Sequence, residues 1–317
     1  MKAIQFFAIT ALGAALFASC SNQEELATGS YPRDNLIRVT AGVNNDMTRG
    51  DEAVTPTSLT QNFSLTVVNN TNANFSYANE IFSLNGTEWS CGKNLLWQNL
   101  STPVEIVALY PATDANKFTS VYSKENNTVG TITYGVNPDQ SKSTAAEADD
   151  LLLYHNASFE PAKDLQDGKL NIEFNHAFCQ VDIEVTIGSE FNASNGLAEN
   201  PIQGIKVEGT KTTAEIGFAS TEPFFTVTPS ESEEATSITP TRRDFTPAAN
   251  ATAKAVAKYS CIVIPQTATL KVLLHTSDRE FEWTGSQMKL ESGKQYTLQL
   301  NMKKSATARK FILRERK

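Results

Sequence analysis

Leu170-Asn171-Ile172-Glu173-Phe174-Asn175-His176-Ala177-Phe178-Cys179-Gln180-Val181-Asp182-Ile183-Glu184-Val185-Thr186-Ile187 alternates apolar and polar side chains along most of its length. A period of two belongs to a strand with one face in a core and one toward solvent. The stretch reads as the longest strand of the chain. Ala177, Cys179, Val181, Ile183, Val185 and Ile187 share one face, and Phe174, His176, Phe178, Gln180, Asp182 and Glu184 the other. Cys179 falls in the apolar set and reads as a small hydrophobe without a redox role. His176 reads as a packed histidine, since no second metal ligand lies near it.

The same period continues outward in both directions. Toward the C-terminus it predicts strands at Ile202–Val207, Ala214–Phe218, Phe224–Val227, Val256–Ile264, Leu270–His275, Phe281–Trp283 and Tyr296–Met302. Toward the N-terminus, Pro161, Lys163, Asp164, Asp167 and Gly168 make a polar hinge over Ser158–Gly168. Before it lie strands at Leu36–Val43, Phe63–Val67, Val104–Tyr110, Val129–Tyr134 and Leu151–Tyr154, separated by loops rich in Asn, Thr and Ser. No long amphipathic helix interrupts them. The fold class is all-β, and short strands with turn signals at this spacing predict two β-sandwich domains in tandem.

The N-terminus carries a different signal. Lys2 precedes a nearly continuous apolar run from Ile4 to Phe17, and Leu16-Phe17-Ala18-Ser19-Cys20 closes it. The run is too short for a permanent membrane span and reads as an export signal. Its end resembles a bacterial lipobox, in which the cysteine thiol accepts a diacylglyceryl group and the chain is cut just before it. Cys20 is therefore the expected lipid anchor. The domain reading is 1–19 lipoprotein signal peptide, 20–33 tether, 34–160 N-terminal sandwich, 161–303 C-terminal sandwich and 304–317 basic tail. Acidic Glu24 and Glu25 behind the cysteine resemble surface-export signals of Bacteroidota lipoproteins.

The mature chain resembles the fimbrillin family of type V pili. The residues that carry the resemblance are Val39-Thr40, Thr48-Arg49, Trp97, Ala108-Leu109-Tyr110-Pro111, Asp150-Leu151-Leu152-Leu153-Tyr154, Phe174-Asn175-His176-Ala177-Phe178, Ile264-Pro265-Gln266 and Gly293-Lys294-Gln295-Tyr296. The resemblance implies transthyretin-like, Greek-key sandwiches and a fimbrial structural or tip subunit at the outer-membrane surface, with other fimbrial subunits as partners. It also implies proteolytic processing after Arg49, which would free the strand containing Ile37, Val39, Ala41 and Val43 for exchange. The tail from Lys303 to Lys317 carries a net charge of +6, leaving −14 for the rest. With only Phe311, Ile312 and Leu313 as its apolar segment, it makes a poor strand donor, which points to a tip-like or accessory subunit.

Other chemistry is excluded or unsupported. A net charge of −8 argues against nucleic acid. No nucleophile elbow, zinc-protease helix, phosphate loop or dinucleotide fingerprint is present, so no catalytic residue, cofactor or metal is assigned. Glu147, Asp149 and Asp150 lack the glycine and ligand spacing of a calcium loop. Glu231, Glu233 and Glu234, and the pair Arg242-Arg243, read as exposed loops. Arg49-Gly50-Asp51 matches an integrin-recognition tripeptide by chance. Cys91, Cys179 and Cys261 permit at most one disulfide. The alternative function is a stand-alone surface lipoprotein that binds a glycan or other host or bacterial surface ligand on Trp89, Trp97 or Trp283. Those three also fit a core role.

Overall fold

The computed structural model describes residues 31–44, 59–112, 121–123, 125–142, 149–304 and 312–315. Cys20, Arg49, the Arg-Gly-Asp tripeptide and Glu147 lie outside the described residues. The described chain is nearly all β, as its period of two dictates.

The first five strands are β1 (Val39–Val43), β2 (Phe63–Val68), β3 (Tyr77–Asn85), β4 (Glu88–Cys91) and β5 (Val104–Tyr110). Three short strands follow, β6 (Tyr122–Ser123), β7 (Thr128–Val129) and β8 (Ile132–Gly135), then β9 (Leu152–Phe159) and β10 (Leu170–His176). Seven of these close into a barrel-like sheet in the order β1-β10-β9-β5-β2-β3-β4. Where a sandwich was expected, the first half thus wraps on itself. The ring is sealed between β4 and β1 by a single bridge, Val39 to Trp89.

The remaining strands are β11 (Cys179–Ile187), β12 (Ile202–Thr210), β13 (Thr213–Phe218), β14 (Phe225–Pro229), β15 (Thr236–Ile238), β16 (Thr241–Thr246), β17 (Ala255–Val263), β18 (Thr267–Thr276), β19 (Glu280–Lys289), β20 (Gln295–Met302) and β21 (Ile312–Glu315). They form a five-stranded sheet, β16-β17-β11-β20-β21, and a four-stranded sheet, β15-β12-β18-β19. A three-stranded sheet, β14-β13-β8, takes its last strand from the first half.

Leu170–Ile187 is two strands rather than one. β10 buries Leu170, Ile172, Phe174 and His176, whereas β11 buries Cys179, Val181, Ile183, Val185 and Ile187. The buried set changes parity across Ala177-Phe178-Cys179, three consecutive buried residues. A one-residue change of register moves every following side chain to the opposite face. Here it carries the chain out of the barrel and into the five-stranded sheet.

Two hydrophobic clusters result. One fills the barrel and runs from Ile37 to Phe174, so it draws on residues on both sides of the Ser158–Gly168 hinge. The other lies among the later sheets but also takes Val107, Leu109, Leu151 and Leu153. β5 and its neighbour β9 therefore serve both cores. In β5, Ile106, Ala108 and Tyr110 face the barrel interior while Val107 and Leu109 face the second cluster. Strands buried on both sides carry near-continuous apolar runs, as Val104–Tyr110 does.

Candidate strand-exchange site

β1 begins from a short, well-tied approach. Asp34 binds Arg38 through two side-chain hydrogen bonds of 2.9 and 2.6 Å. The Arg38 guanidinium, followed by the Leu36 amide, holds the Asp34 carboxyl down at about 2. The Ile37 amide donates to the Leu95 carbonyl at 2.9 Å, and the Trp97 amide to the Asn35 carbonyl at 2.8 Å. From Val39 the strand runs parallel to β10, with Val39 opposite Leu170 and Val43 opposite Phe174. The Leu170 amide donates to the Arg38 carbonyl and the Asn44 amide to the Phe174 carbonyl, both at 2.8 Å.

The two edges of β1 are unequal. All five residues pair with β10, but only Val39 bridges to β4. Inward, Ile37, Val39, Ala41 and Val43 are all buried and belong to the barrel cluster. Phe63 is fully buried in that cluster, its ring centroid 4.8 Å from Trp89, 5.2 Å from Phe82 and 5.7 Å from Phe174. Burying a Val or Ile side chain stabilises by roughly 1.5–3 kcal/mol. The three larger residues of the strand therefore contribute on the order of 5–8 kcal/mol as an upper bound. Outward, the Thr40 hydroxyl donates to the Asn171 amide oxygen at 3.0 Å and the Asn44 amide to that of Asn175 at 3.1 Å. The strand is an apolar plug in a polar-rimmed slot.

At the other end of the chain, the backbone of β21 adds antiparallel to β20, with Tyr296 opposite Glu315 and Gln299 opposite Ile312. It forms one edge of the five-stranded sheet.

The remaining sequence candidates do not assemble into a site. Trp89, Trp97 and Trp283 are 9%, 2% and 4% exposed and belong to the cores. Asp149 accepts from the Asn137 amide at 2.6 Å, and Asp150 pairs with the buried His176 at 3.0 Å. Among the described residues no group of three or more His, Cys, Asp or Glu side chains could hold a metal. Cys91 and Cys261 are free thiols, the Cys179 thiol donates to the Val263 carbonyl at 3.1 Å, and burial pushes Cys261 far above the ordinary range.

Two loop readings are corrected. Arg242 and Arg243 lie on β16, paired to β17, where an exposed outer strand leaves their charges in solvent. Glu233 is a bound carboxylate: it accepts from the Thr212 amide at 3.0 Å, the Thr212 hydroxyl at 2.5 Å and the Thr213 amide at 2.6 Å. Its partners lie twenty residues upstream, and no local signal announces them.

A sequence model of the family described as fimbrillin-like matches residues 38–311. No curated protein matches the chain. Among solved structures, a candidate cell adhesion protein from Bacteroides ovatus is similar with a TM-score of 0.57 and 13% identity, covering 91% of this chain and 97% of its own. A candidate cell adhesion protein from Bacteroides uniformis is similar with a TM-score of 0.55 and 16% identity, covering 90% and 98%. At these identities the two structures speak for the fold alone. The sequence match spans β1 through β20 and runs into the C-terminal tail, and the chain belongs to the fimbrillin-like family.

Proposed function

We propose that this protein is a fimbrial structural or tip subunit, exported as a lipoprotein anchored through Cys20 and assembled by strand exchange once cleavage after Arg49 releases β1. The observation that carries the reading is the seating of β1, which is paired along its whole length on one side and by a single bridge on the other. Its loss would leave five residues of β10 as an open edge beside an empty apolar slot. Such a slot accepts an extended strand from a second subunit. The intact precursor fills the slot with its own chain and stays monomeric.

The barrel with one weak seam takes the place of the first of the two transthyretin-like sandwiches that the resemblance implies. Other fimbrial subunits are the partners, and the outer-membrane surface is the location of the anchored precursor. The short apolar segment of the basic tail favours a tip-like or accessory position over a stalk one.

The test is processing. Brief trypsin treatment of the folded precursor should yield a species beginning at Gly50, and incubation should then give a ladder on a denaturing gel run without boiling. Arg49→Ala should block both. A ladder from the Arg49→Ala protein would refute the mechanism.

A further inference from the structure

The barrel and the later sheets enclose a cleft of about 1150 Å³, larger than the ~300–1,000 Å³ of a usual small-molecule pocket. One wall is β9 and β10, through Tyr154, Asn156 and Glu173, and the opposing wall includes Phe225, Val227 and Pro229 of β14. β14 is an outer strand of its sheet. We propose that the free edge of β14 binds an extended polypeptide segment of a partner protein, neutral to mildly basic, as an added strand.

Hydrogen-bond parity identifies the free groups. The Ala219 amide donates to the Phe224 carbonyl at 3.0 Å and the Ser230 amide to the Thr213 carbonyl at 2.9 Å. The register between them is unbroken, from Phe218 opposite Phe225 to Ala214 opposite Pro229. Bonded and non-bonded pairs alternate in an antiparallel ladder. The main-chain groups of Phe224, Thr226, Thr228 and Ser230 thus face β13, and those of Phe225, Val227 and Pro229, three residues that line the cleft, point away from β13. Two N–H donors and three carbonyls stand in a row at strand spacing. An extended backbone is the ligand whose groups match that row.

The edge is held at both ends, and among the described residues no strand pairs with it. At one end, Nδ1 of the buried His155 lies 2.8 Å from the Phe224 carbonyl, and its Nε2 lies 2.9 Å from Glu105. At the other end, Lys211 donates to the Ser230 carbonyl at 2.7 Å. Anchoring at both ends reduces the ordering that binding must impose. Three other outer strands, β16, β19 and β15, carry the usual protections against pairing. β16 has Arg242, Arg243 and Asp244 with a register shift, and β19 has Glu280, Glu282 and Lys289 with another. β15 is three residues long and also shifted. β14, Phe225-Thr226-Val227-Thr228-Pro229, has no charge and no shift, and only its last residue is proline. The cleft charges set the preference for the partner. Lys289 is neutralised by Glu291 at 2.7 Å, which leaves Glu173 and Glu222 against Lys294.

The experiment uses the full-length Arg49→Ala protein, whose β1 stays in place, so that its result is separate from strand exchange in the barrel. The probe is a synthetic heptapeptide alternating valine and threonine with lysine at both ends. Expected are binding by fluorescence anisotropy and added hydrogen-exchange protection at the Phe225 and Val227 amides. Val227→Pro removes an outward donor and leaves the bonds to β13, so affinity should fall at least about tenfold. A peptide N-methylated at alternate amides should lose binding to the same degree with the protein unaltered. The proposal is overturned by no binding at millimolar peptide, by binding that both changes leave intact, or by self-association that Val227→Pro abolishes without any peptide binding.

Discussion

Replacing Val39 and Val43 together by alanine tests whether the apolar face of β1 is what retains it. Each substitution removes two buried methyl groups, a transfer loss of about 1.6 kcal/mol at roughly 0.8 kcal/mol per carbon. Part of each space stays empty, which raises the loss to about 2 kcal/mol per site. The sites are four residues apart, about 13 Å along a strand, so the two losses should nearly add. The double variant should therefore lose about 3–4 kcal/mol. Both residues are almost fully buried in the cluster that also holds Phe63, Trp89 and Phe174, which leaves little room for collapse into the gap. If the loss appears in the leaving rate, the fragment cut at Arg49 should depart about 10²–10³ times faster, at about 1.4 kcal/mol per decade. The assay is limited trypsin digestion followed by size-exclusion chromatography and mass spectrometry of the released peptide. Thr40→Ala, which alters an outward hydroxyl and its bond to Asn171, serves as the control and should change release by less than tenfold. Release of the double-variant fragment at the wild-type rate would refute the claim that side-chain burial holds the strand.

Three further outcomes are expected. A fatty-acid probe should label the wild-type precursor in a bacterial host and leave Cys20→Ala unlabelled, and equal labelling would remove the anchor. Deleting Thr307–Lys317 removes β21, an edge strand paired to β20 over four residues, so the thermal midpoint should fall modestly while the protein still folds, and any ladder should stay in place. Loss of the ladder would make the tail a true donor. Burial pushes the Glu233 carboxyl up, but hydrogen bonds from Thr212 and Thr213 outweigh it and leave it below the ordinary range. Its stabilisation is then complete above the unfolded carboxylate range near 4.5 and is lost as pH falls through the lower folded value. Glu233→Gln should lower stability by about 1–3 kcal/mol at neutral pH and flatten the acid limb of a denaturation series.

How much was legible depended on how each strand is buried. β11, β12, β18 and β20 alternate because each has one face in the core, and the period placed them, whereas only Phe281–Trp283 of the ten residues of β19 was readable and β15 was not read at all. β3 escaped notice because only Phe82 of its nine residues is buried, so its sequence shows no period. β4 buries only Trp89. β16 has three consecutive exposed residues, Arg242-Arg243-Asp244, and looks like a loop. For the candidate site, the apolar face of β1 was visible in Ile37, Val39, Ala41 and Val43. Its parallel partner was not, since Thr40 and Asn171 are 131 positions apart and only folding brings them together.

The parity change at Ala177-Phe178-Cys179 matters most, because it joins the proposed acceptor slot to the second core. An uninterrupted strand would place Phe174 and Gln180 on one face and give both halves a shared sheet. Instead, the Ala177 amide donates to the Leu151 carbonyl at 2.8 Å and the Phe178 carbonyl accepts from Gly293 at 2.9 Å. Two adjacent residues thus bind the segment just before β9 on one side and the turn before β20 on the other. β11, which follows, is held by nine paired residues of β17 and eight of β20. β10, which precedes it, is the strand against which β1 lies. Departure of β1 would remove a neighbour from β10 without loosening its C-terminal end, which runs on into a strand paired along its length on both sides. An emptied slot anchored in this way keeps its register, and register is what an incoming strand must match.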